Sequence, residues 1–133
     1  MKVLVIDDDI VTTEMLKMNL EPASFKVNAA SSSHEGIELA RRWKPDVIIV
    51  DLVMPVLNGW EVCKEIRKFS SVPILVMSVM NHPDMVAKTL DQGADDYLVK
   101  PVSSTILIAH LNKLARRSRS EIDVLPVDNI STS

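Results

Sequence analysis

The chain has 133 residues, 47% of them hydrophobic and 25% charged, which is enough for one ordinary globular core and too little for two. Against 18 Asp and Glu stand 15 Lys and Arg, a net charge of -3, so a nucleic-acid backbone is not expected as a direct partner. The single cysteine, Cys63, excludes an internal disulfide framework and a Cys-based metal cage and fits a reducing, cytoplasmic compartment. The apolar runs fall well short of the roughly 20 residues that cross a bilayer, and Met1 leads straight into a strand pattern, so neither a membrane span nor an export segment is expected.

Five short apolar, β-branched runs, at residues 3–6, 25–29, 47–50, 74–77 and 97–99, have the length of strands. Helical spacing fills the intervals. It is carried in turn by Val11, Met15 and Met18; by Ile37, Ala40 and Trp43; by Val62 and Ile66; by Met85, Val86 and Leu90; and finally by Ile106, Leu107, His110, Leu111 and Leu114. Ser33 and Ser103 are expected N-caps, Gly93 is an expected helix stop, and Pro45 and Pro73 each precede a strand. From Ser118 the sequence is mostly polar and aperiodic, so residues 1–117 are expected to form the domain and 118–133 a linker or disordered tail.

Five strand–helix repeats with uniformly apolar strands call for a parallel sheet with helices on both faces, and right-handed crossovers make a doubly wound α/β fold the simplest solution. In such sheets ligands sit beyond the carboxyl ends of the strands. Those ends carry Asp7, Asp8 and Asp9 after the first strand, Asp51 at the third, Ser78 after the fourth, and Lys100 with Pro101 after the fifth.

Several carboxylates in one crevice repel one another, and Lys100 alone cannot balance them, so either some are protonated or a cation binds. An oxygen-only ligand set favours a hard divalent ion such as Mg²⁺, or Mn²⁺, with Asp8 and Asp51 as direct ligands and Asp7 acting through water. A carboxylate beside such an ion can attack a phosphoryl group to give an aspartyl phosphate, while Lys100 neutralises the transferring oxygens and the Ser78 hydroxyl donates to one of them. Asp9 is expected to cap the first helix instead of binding metal.

The segments "VLVIDDD", "VIIVDLVMPVLNG", "ILVMS" and "DDYLVKP", in this order and spacing, resemble the receiver domain of two-component response regulators over residues 1 to about 117. The resemblance implies a flavodoxin-like five-stranded sheet in the order 2-1-3-4-5. It implies that Asp51 accepts a phosphoryl group from a phosphohistidine on a sensor histidine kinase or a histidine phosphotransfer protein, that Asp7 and Asp8 are the acidic pair for Mg²⁺, and that the Val53 main-chain carbonyl is a further ligand. Ser78 is then the switch hydroxyl, Tyr97 the aromatic that turns as it shifts, and the Lys100–Pro101 bond is cis. The output surface would be formed by the fourth helix, fifth strand and fifth helix, with homodimerisation through those two helices common in the family.

The chain departs from the family at Val79, where a small residue is usual after the switch hydroxyl and where bulk is expected to slow phosphoryl exchange. Val53 and Met80 are both apolar, so neither can orient an attacking water, and a long-lived phosphoryl group is expected. A Mg²⁺-dependent phosphohydrolase is the competing enzyme, but it commonly places a second acid two residues after the nucleophile, the position of Val53. A flavodoxin-like cofactor binder would need a phosphate cradle where three aspartates stand, and a receiver kept only as an interaction module would not need its full set of site residues. A phosphoacceptor regulatory domain, not an enzyme, is therefore expected, with its effector outside this sequence. Cys63, the three histidines and most methionines read as packing or surface residues, and Lys113, Arg116, Arg117 and Arg119 as cations favoured at a helix C-terminus.

Overall fold

A computed structural model describes residues 1–131, with side chains through Arg117. Strands and helices alternate throughout: β1 (Lys2–Ile6), α1 (Ile10–Leu20), β2 (Lys26–Ala30), α2 (Ser33–Trp43), β3 (Val47–Asp51), α3 (Gly59–Arg67), β4 (Ile74–Ser78), α4 (Pro83–Asp91), β5 (Asp96–Val99) and α5 (Ser104–Ser131). All strand pairs are parallel and the order is β2-β1-β3-β4-β5, the doubly wound arrangement expected. The tail expected from Ser118, and Arg119 with it, lies beyond the described side chains, and residues 132–133 lie outside the described residues altogether.

Strand alternation divides the interior into two layers. Leu4, Ile6, Ile48, Val50, Ile74 and Val76 face α2 and α3, meeting Ala40, Val62, Cys63 and Ile66. Val3, Val5, Val47, Ile49, Leu75 and Met77 face α1 and α5, meeting Leu16, Leu20, Leu107, Leu111 and Leu114. Both faces of the central strands are covered, which is why these segments read as unbroken apolar runs. Cys63 is fully buried, and burial pushes its thiol up to about 11, so it is a packing residue without thiolate chemistry.

Three sequence expectations are corrected. In α1 the spaced set Val11, Met15 and Met18 faces solvent, together with Ile10, and the helix instead buries Thr13, Leu16 and Leu20. Both sets have helical spacing, so periodicity could not choose between them. Asp9 caps the helix, accepting from the Val11 amide at 3.0 Å and the Thr12 hydroxyl at 2.9 Å, and Leu16 and Leu20 dock against the sheet. Thr13 turns inward at little cost because its hydroxyl donates to the Ile10 carbonyl at 2.9 Å.

Leu90 and Ile106, assigned to inward stripes, are likewise exposed at 42% and 52%. The α2 cap is Ser32, which accepts from the Glu35 amide at 3.2 Å, so Ser33 is the first helical residue. Ser103 does cap α5, and Gly93 follows α4 with φ of 112°, a left-handed conformation open to glycine.

At the amino ends of β4 and β5, Asp95 makes four hydrogen bonds. Its carboxylate accepts from Arg67 of α3 at 2.8 Å, Arg117 of α5 at 2.6 Å and the Ile74 amide at 2.8 Å, and its own amide donates to the Ile74 carbonyl at 2.8 Å, a fourth bond in the same knot.

Candidate functional site

The opposite edge of the sheet, at the carboxyl ends of the strands, gathers the acidic residues. β1 delivers Asp7 and Asp8, β3 delivers Asp51, and one carboxylate oxygen from each lies within 4.8 Å of the others. Asp7 is only 3% exposed, Asp51 is half-buried and Asp8 is open to solvent. Lys100, from the end of β5, places its ammonium 3.2 Å from Asp7 and 4.0 Å from Asp51. One ammonium thus faces three carboxylates.

Burial holds the Asp51 carboxyl above its ordinary range; Lys100 opposes that shift, and the neighbouring charges of Asp7 and Asp8 add to it. This is the electrostatic signature of a site short of positive charge. The donor set is all oxygen, with one member open to solvent, and suits a hard divalent cation that keeps part of its water shell.

The loop after Asp51 is bent tightly back toward the strand. A Cβ on Gly59 would stand 2.7 Å from the Leu52 Cα and 2.8 Å from the Asp51 carbonyl oxygen, so glycine is required for α3 to start against the end of β3. The Gly59 amide donates to the Leu52 carbonyl at 2.8 Å. Asn58 and Glu61 then close a reciprocal capping box, with bonds of 3.1 and 3.2 Å.

Ser78 is fully buried at the end of β4; its hydroxyl oxygen accepts from the Met80 amide at 3.2 Å, and its carbonyl accepts from the Lys100 amide at 2.8 Å. The Lys100–Pro101 bond is cis. Tyr97 reaches across from β5 and donates its hydroxyl to the Met80 carbonyl at 2.6 Å. Asp7, Asp8, Asp51, Ser78 and Lys100 are therefore brought to one edge, and Tyr97 is tied to the residue two after Ser78.

The flanking apolar residues divide between two grooves. Val53 and Met80 share one of about 240 Å³ with Leu52, Met54, Trp60 and Met85. Val79 lines another, of about 370 Å³, with Met15, Lys100 and Pro101. Sequence reasoning missed two links nearby. The Trp60 indole donates to the buried Thr89 hydroxyl at 2.8 Å, joining α3 to α4, and Ser33 bonds the loop after Asp51. The only sequence signals for these contacts were a hydroxyl and an indole at helix positions.

The sequence profile of the response regulator receiver domain matches residues 3–112. The chain belongs to this family. The receiver is 36% identical over 118 residues to the transcriptional regulatory protein AfsQ1 of Streptomyces coelicolor, an alignment covering 89% of this chain and 52% of that protein. It is 35% identical over 122 residues to the response regulator MprA of Mycobacterium leprae, covering 91% of the chain and 54% of MprA. It thus spans about half the length of the curated relatives it matches.

Among solved structures, the receiver domain of the Francisella response regulator 1452 superposes with a TM-score of 0.84 at 33% identity, covering 88% of this receiver and 98% of that chain. A two-component response regulator from Clostridium difficile gives the same TM-score and identity over 87% of this chain and 96% of that one. The flavodoxin-like order 2-1-3-4-5 is common to the family and to this chain.

Proposed function

We propose that this receiver is a phosphoryl-accepting switch in which Asp51 is the acceptor. One observation carries the reading: three carboxylates converge within 4.8 Å at the sheet edge and Lys100 is the ammonium within reach. Asp8, Asp51 and the Val53 carbonyl would hold Mg²⁺ or Mn²⁺ directly, with Asp7 acting through water. The bound cation supplies positive charge to the oxygens of the transferring group.

An Asp51 carboxylate oxygen forms the new P–O bond as the P–N bond of a phosphohistidine breaks, and that bond's electron pair stays on the imidazole nitrogen. The donor would be a sensor histidine kinase or a histidine phosphotransfer protein. Lys100 leaves Asp7 to meet the new oxygens, for which it is already within 4.0 Å of Asp51. The buried Ser78 hydroxyl swings to donate to another. Because Ser78 also accepts from the Met80 amide and Tyr97 donates to the Met80 carbonyl, that movement is transmitted to the entry of α4 and to β5.

The α4–β5–α5 face would carry the signal onward. Leu90, Val99 and Ile106, one on each element, are exposed there, which suits a homodimer of the phosphorylated form. The effector lies outside this sequence, as the half-length match to transcriptional relatives supports. We read the domain as regulatory and not as a turnover hydrolase, because Val53 offers no acid or base beside Asp51. Among the described residues no helix is long and apolar enough to cross a membrane, and the cytoplasm is the proposed site of action.

The test is incubation with acetyl phosphate with and without Mg²⁺, followed by intact-mass measurement. Wild type is expected to gain one phosphoryl group only with Mg²⁺, and Asp51→Asn none. An equal gain in the variant would reject Asp51 as acceptor, and a gain without Mg²⁺ would reject the metal requirement.

A further inference from the structure

Ser33 is the first residue of α2, 3% exposed, and distant in sequence from every residue named above as acceptor, ligand or switch. Its hydroxyl donates to the Leu57 carbonyl at 2.9 Å, with the Pro55 carbonyl a second acceptor at 3.3 Å. Those two carbonyls flank Val56, which is 80% exposed and has φ of 71°. A β-branched residue in the left-handed region is rare, because its branched Cβ meets the backbone on both sides. Ser24 and Lys44 also have positive φ, but each directly follows a helical turn, and neither is β-branched. Val56 alone among them sits in the loop that leads away from Asp51.

That loop is pinned along its length. At its base the Gly59 amide holds the Leu52 carbonyl and the Val53 amide donates to the Asp51 carboxylate at 3.4 Å; at its exit Asn58 and Glu61 form the capping box; at its crest, among the described residues, the side-chain bonds are those from Ser33. The Val53 carbonyl lies between base and crest, so its direction depends on the curvature that the crest imposes. An unfavourable Val56 conformation persists only when its surroundings over-determine it. The bond from Ser33 is the constraint that does so here.

We propose that Ser33 is a positioning residue for the metal and acceptor site: its hydroxyl clamps the carbonyls on either side of Val56, holds that residue left-handed, and so fixes the Val53 carbonyl toward the cation. The inference rests on the metal reading above and adds α2 to the elements that shape the site. Without the hydroxyl, Val56 relaxes to negative φ, the peptides upstream rotate, and the Val53 carbonyl loses its aim. With glycine at position 56 the left-handed turn needs no clamp, since glycine enters it freely.

The clamp therefore predicts a specific interaction between two substitutions. Mg²⁺ would be titrated into wild type, Ser33→Ala, Val56→Gly and the double variant, following the Val53 and Leu57 amide resonances to obtain Kd, with circular dichroism to verify that each is folded. Ser33→Ala is expected to weaken Mg²⁺ by about fivefold, the size of one neutral hydrogen bond. In the Val56→Gly background the same change is expected to cost less than about twofold. An unchanged Kd in Ser33→Ala, or the same loss in both backgrounds, overturns the clamp while leaving the metal site intact. A wild-type chain whose Val53 resonance does not respond to Mg²⁺ overturns the metal reading itself, and the clamp's role with it.

Discussion

Across 93 residues of chain, the ammonium of Lys100 lies 3.2 Å from the nearly sealed carboxylate of Asp7. Among the described residues Asp7 has one other donor, the Asp9 amide, which reaches its Oδ1 at 2.9 Å. Removing the ammonium leaves a buried charge without its partner. Lys100→Met is expected to destabilise the metal-free domain by about 3 kcal/mol, the usual cost of breaking a buried pair from one side. Urea unfolding measures it, and Mg²⁺ should restore part of the loss.

Asp51 gives a pH dependence of definite sign. Its carboxyl is raised in the folded chain, chiefly by burial, so the unfolded chain ionises first as pH rises. The favourable contribution is complete below the ordinary carboxylate value of 3.8 and is lost as pH climbs through the raised folded value. In metal-free protein Asp51→Asn is therefore expected to melt higher than wild type at pH 7, with the advantage vanishing in acid. Melts at several pH values test this; a variant less stable than wild type at neutral pH contradicts it.

Val56 carries strain that glycine would release. Left-handed backbone costs a β-branched residue about 1–2 kcal/mol, and glycine's extra freedom in the unfolded chain takes back about 0.5–1 kcal/mol. Val56→Gly should stabilise the domain by about 0.5 kcal/mol, a rise of about 2–4 °C in Tm. A fall in Tm would mean that Val56 is held by packing that its 80% exposure does not suggest.

The Tyr97–Met80 bond ties the loop after β4 to β5. Tyr97→Phe keeps the ring and removes only the donor. It is expected to cost about 0.5–1 kcal/mol and to speed amide exchange in the loop after β4 while leaving β1 and β3 unchanged.

In the groove shared by Val53 and Met80 neither of those side chains can orient a water toward an acyl phosphate on Asp51, and the two polar groups lining it are engaged elsewhere, Asn58 in the α3 capping box and the Trp60 indole with Thr89. The phosphorylated form is expected to persist for many minutes, and Val53→Asn, which adds an amide at the groove mouth, to shorten it about tenfold. Loss of the phosphoryl group within seconds in wild type would contradict the expectation.

The sheet order and the convergence of Asp7, Asp8, Asp51, Ser78 and Lys100 were legible because each stands at a strand end, and parallel topology sends all such ends to one edge. The burial side of α1 was not, since Val11–Met15–Met18 and Thr13–Leu16–Leu20 are both regular stripes. What separates them is the docking of the helix on the sheet, a property of neither stripe alone. The role of Ser33 was also hidden: it is defined by carbonyls 22 and 24 residues away, in a loop whose shape no local pattern specifies.

The knot at Asp95 divides the labour of the molecule. It fastens α3, α5 and the first residue of β4 at one pole of the sheet, while the other pole holds the charge imbalance of three carboxylates around Lys100. The domain is therefore anchored at one end and compliant at the other, like a reed fixed in its mount. Disturbances at Asp51 have a stationary base to work against, and sequence drift at the two poles should be felt differently: as lost foldedness near Asp95, as altered timing near Asp51.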